Sequence, residues 1–398
     1  MRIRLSAPDI TEKEIEYVNK VLLESDGILS IGPWVKKFED SFRDFTGKKY
    51  AIAVNSGTSA LFLLANALGW KNGNKILTTP FSFIASANTA MFVGANPEFV
   101  DIDIETYNMD LDKAKKKISD SGIDGIVAVD AFGQPIDMTR IISAANDKGV
   151  KVIEDSCEAL GSEYKGIKAG TLADASTFAF YPNKQITTGE GGMIITDNED
   201  IYKYCISARS QGRATTGLWL EHKILGYNFR MSELNAALGV AQMERINEIL
   251  EKRNRVAGRY YEMLRNIDGI KLPYIDNNIS FMSWFVFVIR VSKYDEEMKP
   301  FLEMERIEGP DLEEFRDIIA KVENRRKNLI SHLNVNEIDC KPYFTPIHLQ
   351  EFYKNKFGYK LGDFPITEYV GAGTIAIPFY TNLTAGNQRF VADIIHSF

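Results

Sequence analysis

Cysteine and histidine are scarce in this chain. Among 398 residues there are three cysteines and four histidines. Cys157, Cys205 and Cys340 are scattered, which excludes paired zinc-ligand spacing, and an odd count suits a reducing compartment better than a disulfide framework. His222, His332, His348 and His396 show no ligand spacing either, and each alone reads as structural rather than catalytic. Long apolar runs are missing too. The most apolar stretch, 281–291, is too short to span a bilayer. The opening residues, MRIRLSAPD, lack the apolar core of a signal peptide. Positive charge is not in excess: 47 Lys and Arg against 54 Asp and Glu give a formal net charge of -7, which argues against a nucleic-acid partner. The lysine run 115–117 reads as a solvated helix face. No internal repeat or low-complexity tract is visible. These absences imply a soluble cytoplasmic protein with no nucleic-acid or membrane partner.

What is present is apolar material, 45% of the residues, enough for a large core and more than one domain. Between about residues 50 and 200, strand-like runs at 50–54, 75–79, 98–100, 126–129, 152–153 and 193–196 alternate with helix-like stretches such as 59–69, 110–119 and 139–148. That alternation predicts an α/β domain with a largely parallel sheet. An amphipathic pattern starts at Ser232 and continues, with room for a break, to about Leu264. Strand-like runs at 284–291 and 338–343 and a final helix at 387–395 form a second region. The expected division is a large domain over 1–250 and a small one over 251–398. The charged stretch 293–327 reads as a solvated insertion with some helix.

Ligands of open α/β sheets bind at the carboxyl ends of strands. Three such ends carry unusual chemistry. In AIAVNSGTSALFLLANALG (51–69) a strand ends at Asn55, and a helix starts near Thr58 and Ser59. Helix-start N–H groups with the hydroxyls of Ser56, Thr58 and Ser59 make an anion site; ordinary N-capping explains the same residues equally well. In KVIEDSCEALG (151–161) Asp155 ends an apolar strand, where it either caps the next segment or pairs with a protonated ring nitrogen. In FYPNKQITTGEGGMIITD (180–197) Lys184 stands beside aromatic residues and before a glycine-rich turn. Most lysines are solvated, but a lysine at an apolar site is costly unless it is paired or used. A phosphate-binding loop fits poorly, because its lysine follows the glycines, whereas Lys184 precedes Gly189, Gly191 and Gly192.

Cradle, aspartate and lysine, in this order, together point to pyridoxal phosphate. That cofactor needs a lysine for its Schiff base, an acid opposite its pyridine nitrogen and a phosphate site.

The chain resembles the sugar aminotransferases of the DegT/DnrJ/EryC1/StrS family, within the fold type I pyridoxal phosphate enzymes. The resemblance spans nearly the whole chain: LSIGPWVKKFE (29–39), VNSGTSAL, TTPFSFIASANTAMFVGANPEFVDID (78–103), IEDSCEALGSEYKG, FYPNKQITTGEGGMIITD, LGYNFRMSELNAALG (225–239) and PIHLQ (346–350). It implies a seven-stranded, mostly parallel sheet between helices, with a smaller α+β C-terminal domain. It implies that Lys184 attaches the cofactor and moves the proton, and that Asp155 pairs with the pyridine nitrogen. Gly57 and Thr58, with Ser59, would hold the phosphate, and Phe83 would stack on the ring. Asn228 would reach the phosphate from the neighbouring subunit of a homodimer with shared active sites.

Two departures stand out. Glu158 occupies a place near the cofactor's ring hydroxyl where the family often has Gln or His, a feature shared with some members that aminate sugars at C4, perosamine synthases among them. Ala179 replaces a serine that commonly adds a phosphate contact. The resemblance implies transamination of a nucleotide-linked keto sugar in amino-sugar or polysaccharide biosynthesis, with L-glutamate as donor. Arg230 reads as a holder of substrate phosphates or as an interface ion pair. A pyridoxamine phosphate-dependent sugar dehydratase is the alternative enzyme, although those relatives carry histidine in place of Lys184. A non-catalytic regulatory homologue is the other alternative, against which the intact Lys184, Asp155 and cradle argue.

Overall fold

The computed structural model describes residues 2–24, 26–214 and 221–398. Seven strands form the main sheet: β1 (Tyr50–Val54), β2 (Lys75–Thr78), β3 (Asn96–Phe99), β4 (Gly125–Val129), β5 (Lys151–Asp155), β6 (Ala175–Ala179) and β7 (Gly192–Thr196). Their spatial order is β1-β7-β6-β5-β4-β2-β3. β7 runs antiparallel to β1 and β6, and the remaining pairs are parallel.

Apolar runs alone locate six of these strands. β6 reads Ala-Ser-Thr-Phe-Ala and has no such run; hydrogen-bond ladders to β5 and β7 hold it on both sides. Successive side chains of a strand face opposite ways, and both faces are covered. Val127, Ile153 and Ile194 pack under the helices Gly57–Ala67 and Glu199–Arg209. Ile126, Ala128 and Val152 pack against Leu111–Asp120 and Met138–Asn146. Strands buried on both faces need near-continuous apolar sequence, and Gly-Ile-Val-Ala-Val in β4 supplies it.

The long amphipathic pattern is two helices, Glu233–Glu244 and Ile246–Leu264. Arg245 breaks it, at φ −110° and ψ 7°. Its buried guanidinium donates to Glu14 at 2.6 Å and to Asp9 at 2.8 Å, which ties the N-terminal segment to the joint. The second helix begins in the main core with Ile246, Ile249 and Leu250, and ends in another with Val256, Tyr260 and Leu264. This second core lies around a four-stranded antiparallel sheet that includes Phe287–Val291 and Thr374–Ile377. Ile3 packs there too, and Leu5 accepts from Phe379 N–H.

One expectation needs correction. The 293–327 stretch is packed rather than a solvated insertion. Helix Asp311–Val335 buries Phe315, Ile318 and Val322 against Val291, Phe301 and Tyr369. Its many charges lie on the outer face, and the apolar residues at helical spacing carry the packing. In the lysine run, Lys115 and Lys116 are exposed as expected, while Lys117 folds back and donates to Phe99 O at 2.6 Å, and burial lowers its pKa. Among the described residues no helix is long and apolar enough to cross a membrane.

Candidate active site

β1, β4, β5 and β6 point the same way, so Val54, Val129, Asp155 and Ala179 end along one edge. A cleft of about 500 Å³ opens there. Gly57, Thr58, Phe83, Asp155, Glu158, Ala179 and Lys184 all line it. No histidine does.

The root of the lysine loop is rigid. Phe178 and Phe180 at the end of β6 meet Phe42 and Phe38 of helix Pro33–Thr46, with ring centroids 5.0–5.8 Å apart. Fully burying a Phe contributes about 1.5–3 kcal/mol, more than the roughly 1 kcal/mol of a turn hydrogen bond. The ring cluster therefore anchors the loop, and the turn bonds shape it. Lys184 N–H closes a turn on Tyr181 O at 2.9 Å, and Gln185 reaches Glu158 O and Ser283. The glycines after the lysine permit close approach. A Cβ on Gly192 would lie 2.5 Å from Ser56 backbone atoms, so only glycine lets β7 pass under the helix start.

Capping is observed at residues 55–59. Ser56 is the N-cap and accepts from Ser59 N–H at 3.1 Å. Ser59 donates its hydroxyl to Asn55 at 2.7 Å and does not line the cleft. Ser59 is thus engaged by the cap and by Asn55. The N–H groups of Gly57 and Thr58 have no partner within the helix and stand at the cleft. A Cβ on Gly57 would meet Ala179 Cβ at 2.9 Å and Cys157 Sγ at 3.1 Å, so the turn seats directly on β6.

Asp155 is buried at the end of β5. Its Oδ2 accepts from Ser86 Oγ at 2.7 Å, and its Oδ1 from Cys157 N–H at 3.3 Å. Lys184 Nζ lies 3.4 Å from Glu158 Oε1 and 3.8 Å from the centroid of the Phe285 ring. Glu158 Oε2 accepts from Phe132 N–H at 2.9 Å. Burial pushes the Glu158 carboxyl up, and the Lys184 ammonium pulls it back. Behind the site a second acid pair is buried: burial raises Glu154 to about 7 and Asp130 well above its usual range. Ser156 donates to Asp130, and Gly170 N–H to Glu154.

Phe83 lines the cleft and is 62% exposed. Asn228 is exposed, pairs through its backbone with Ser210 and does not line this chain's cleft. Arg230 does not line it either; it donates to Ser210 beside Arg213 and Arg209. Burial, then those like charges, lower its pKa. Ser86, Phe285, Tyr343 and Phe344 line the cleft without having been expected. Ser86 lay inside a motif whose hydroxyls carry no signal of their target. The other three come from the C-terminal region, which sequence periodicity does not place.

The donor set fits pyridoxal phosphate: helix-start N–H groups for a phosphate, a buried carboxylate for a ring nitrogen, an amine for a carbonyl. Gly57 sits so close on Ala179 that any side chain there would push the helix start off its seat.

Comparison with known proteins agrees. The profile of the DegT/DnrJ/EryC1/StrS aminotransferase family matches residues 8–313 and 304–396. The chain is 32% identical over 391 residues to GDP-perosamine synthase of Escherichia coli O157:H7, spanning 98% of this chain and 97% of that one. It is 33% identical over 389 residues to the spore coat polysaccharide biosynthesis protein SpsC of Bacillus subtilis, spanning 95% and 92%. Among solved structures, PseC of Helicobacter pylori, an aminotransferase involved in the biosynthesis of pseudoaminic acid, superposes with a TM-score of 0.87. Its identity is 25%, over 100% of this chain and 99% of that one. The chain belongs to the DegT/DnrJ/EryC1/StrS aminotransferase family and is a pyridoxal phosphate-dependent aminotransferase of fold type I.

Proposed function

We propose that this enzyme transfers an amino group from L-glutamate to the carbonyl of a nucleotide-linked keto sugar, in amino-sugar or polysaccharide biosynthesis. The observation that carries the reading is the convergence of the Lys184 amine, the Asp155 carboxylate and the Gly57–Thr58 helix start on one cleft. The matched relatives include one named for a GDP-linked amino sugar. When bound, the cofactor supplies a carbonyl that exchanges amino groups and a ring that draws off electron density. The chain does the rest. Lys184 Nζ attaches the cofactor, and once released it takes and returns the proton. Asp155 keeps a positive charge on the ring nitrogen, and Ser86 and Cys157 N–H hold the carboxylate in place. Gly57 and Thr58 hold the phosphate. Phe83 covers the ring. The region 1–250 carries these groups, and 251–398 closes the cleft with Phe285, Tyr343 and Phe344. Incubating the enzyme with a panel of nucleotide keto-sugars and glutamate, read by mass spectrometry, should yield one amino sugar and 2-oxoglutarate. A full panel without amination would overturn the substrate class.

The functional unit on this reading is a homodimer with shared sites. Asn228 and Arg230 stand outside their own cleft, so they serve the partner's: Asn228 the cofactor phosphate, Arg230 the substrate phosphates. A hydrogen bond to a charged group contributes roughly 1.5–3 kcal/mol. Asn228→Ala should therefore weaken cofactor retention roughly tenfold to a hundredfold, because Ala179 offers no hydroxyl in compensation. Mixing inactive Lys184→Ala subunits with inactive Asn228→Ala subunits should restore part of the activity. One hybrid site then carries both defects and the other neither. Verified hybrids that stay inactive would rule out shared sites.

A further inference from the structure

Glu158, which the resemblance puts near the cofactor's ring hydroxyl, is buried against the Lys184 amine. Its side chain is 8% exposed and that of Lys184 12%. Phe132 N–H fixes Oε2, Oε1 faces Nζ at 3.4 Å, and the Phe285 ring backs the ammonium. Among the described residues Glu158 is the only carboxylate within ion-pair distance of Lys184. The other titratable groups acting on it are Asp155, at the end of the strand that precedes it, and the phenol of Tyr343 from the C-terminal region.

An ammonium has no lone pair, so a lysine must lose a proton before it can attack a carbonyl. Resting on the cofactor assignment above, we propose that Glu158 is the proton acceptor for Lys184. The N–H bond at Nζ breaks and an O–H bond forms at Oε1. The freed lone pair bonds the cofactor's carbonyl carbon, whose oxygen leaves as water with the amine's two remaining hydrogens. On release of the lysine the proton returns from Oε1 to Nζ. The charged pair thus becomes a neutral pair, which the burial of both side chains favours. Burial raises the proton affinity of Glu158 above that of a surface carboxylate. Phe285 keeps Nζ on the Glu158 side of the cleft.

The test follows covalent attachment, not turnover. Apo-enzyme is mixed with pyridoxal phosphate, and attachment is read from the visible absorbance and from a borohydride-trapped label on Lys184. Glu158→Gln keeps the Phe132 bond through its amide oxygen but cannot take the proton. Its attachment rate should fall at least about tenfold at neutral pH and climb with pH as solvent takes over. Its affinity for pyridoxamine phosphate, which has no carbonyl to attack, should stay close to that of the unaltered enzyme. In Glu158→Ala, added formate should accelerate attachment. An unaltered rate and pH profile in Glu158→Gln overturns the proposal. So does loss of pyridoxamine phosphate binding in that variant, which makes Glu158 a structural residue, and so does a lack of response to formate in Glu158→Ala. Failure of the unaltered chain to bind either form of the cofactor would instead strike the cofactor assignment itself.

Discussion

Lys184→Ala loses turnover by about 10⁴-fold or more, because one atom, Nζ, supplies both the covalent attachment and the proton transfer. The fold survives. Lys184 contributes one ion pair at 3.4 Å and one ring contact, while the loop is held by Phe178 and Phe180 beneath it. Breaking a buried pair usually costs several kcal/mol because a charge is left alone. Glu158 escapes that cost by taking a proton, since burial already pushes its carboxyl up and Lys184 no longer opposes the shift. The variant should melt close to the unaltered protein, bind pyridoxal phosphate without a covalent bond, and carry no label after borohydride. Turnover near the unaltered level would remove Lys184 from the mechanism.

Asp155→Asn should slow the glutamate half-reaction at least about a hundredfold, the scale of removing a positioned electrostatic partner from a water-poor site. The substitution is nearly isosteric. The amide oxygen can still accept from Cys157 N–H, and Ser86 Oγ can turn to accept from the amide, so both local contacts persist. What is lost is the negative charge that holds a proton on the ring nitrogen. Single-turnover rates with glutamate isolate this effect from sugar binding. Unchanged rates would return Asp155 to the structural role of capping the segment after β5.

The chemistry of the site was legible because its signals are local. A strand-end aspartate, a glycine–threonine helix start and a lysine before a glycine-rich turn each sit within a few residues of what explains them. The alternation of apolar runs was also enough for the α/β class, since a parallel sheet buried on both faces demands them. β6 was illegible by that rule: Ser176 and Thr177 are buried, and its neighbours' ladders make it a strand. Ser59 could not be separated from Ser56 and Thr58 by sequence, because three adjacent hydroxyls compete for one cap and the helix geometry chooses.

The sequence alone therefore determined the cofactor and singled out Lys184 and Asp155 as the amine and the acid proposed to serve it. Tertiary structure decided that Ser86 holds Asp155, that Glu158 and Phe285 flank the amine, and that Asn228 does not line its own cleft. It also decided that 293–327 is packed rather than solvated. The physical reason is range. Ser86 and Asp155 are 69 residues apart, and Phe285 comes from the C-terminal region. Such contacts exist only once the chain has closed on itself, and no local period records them.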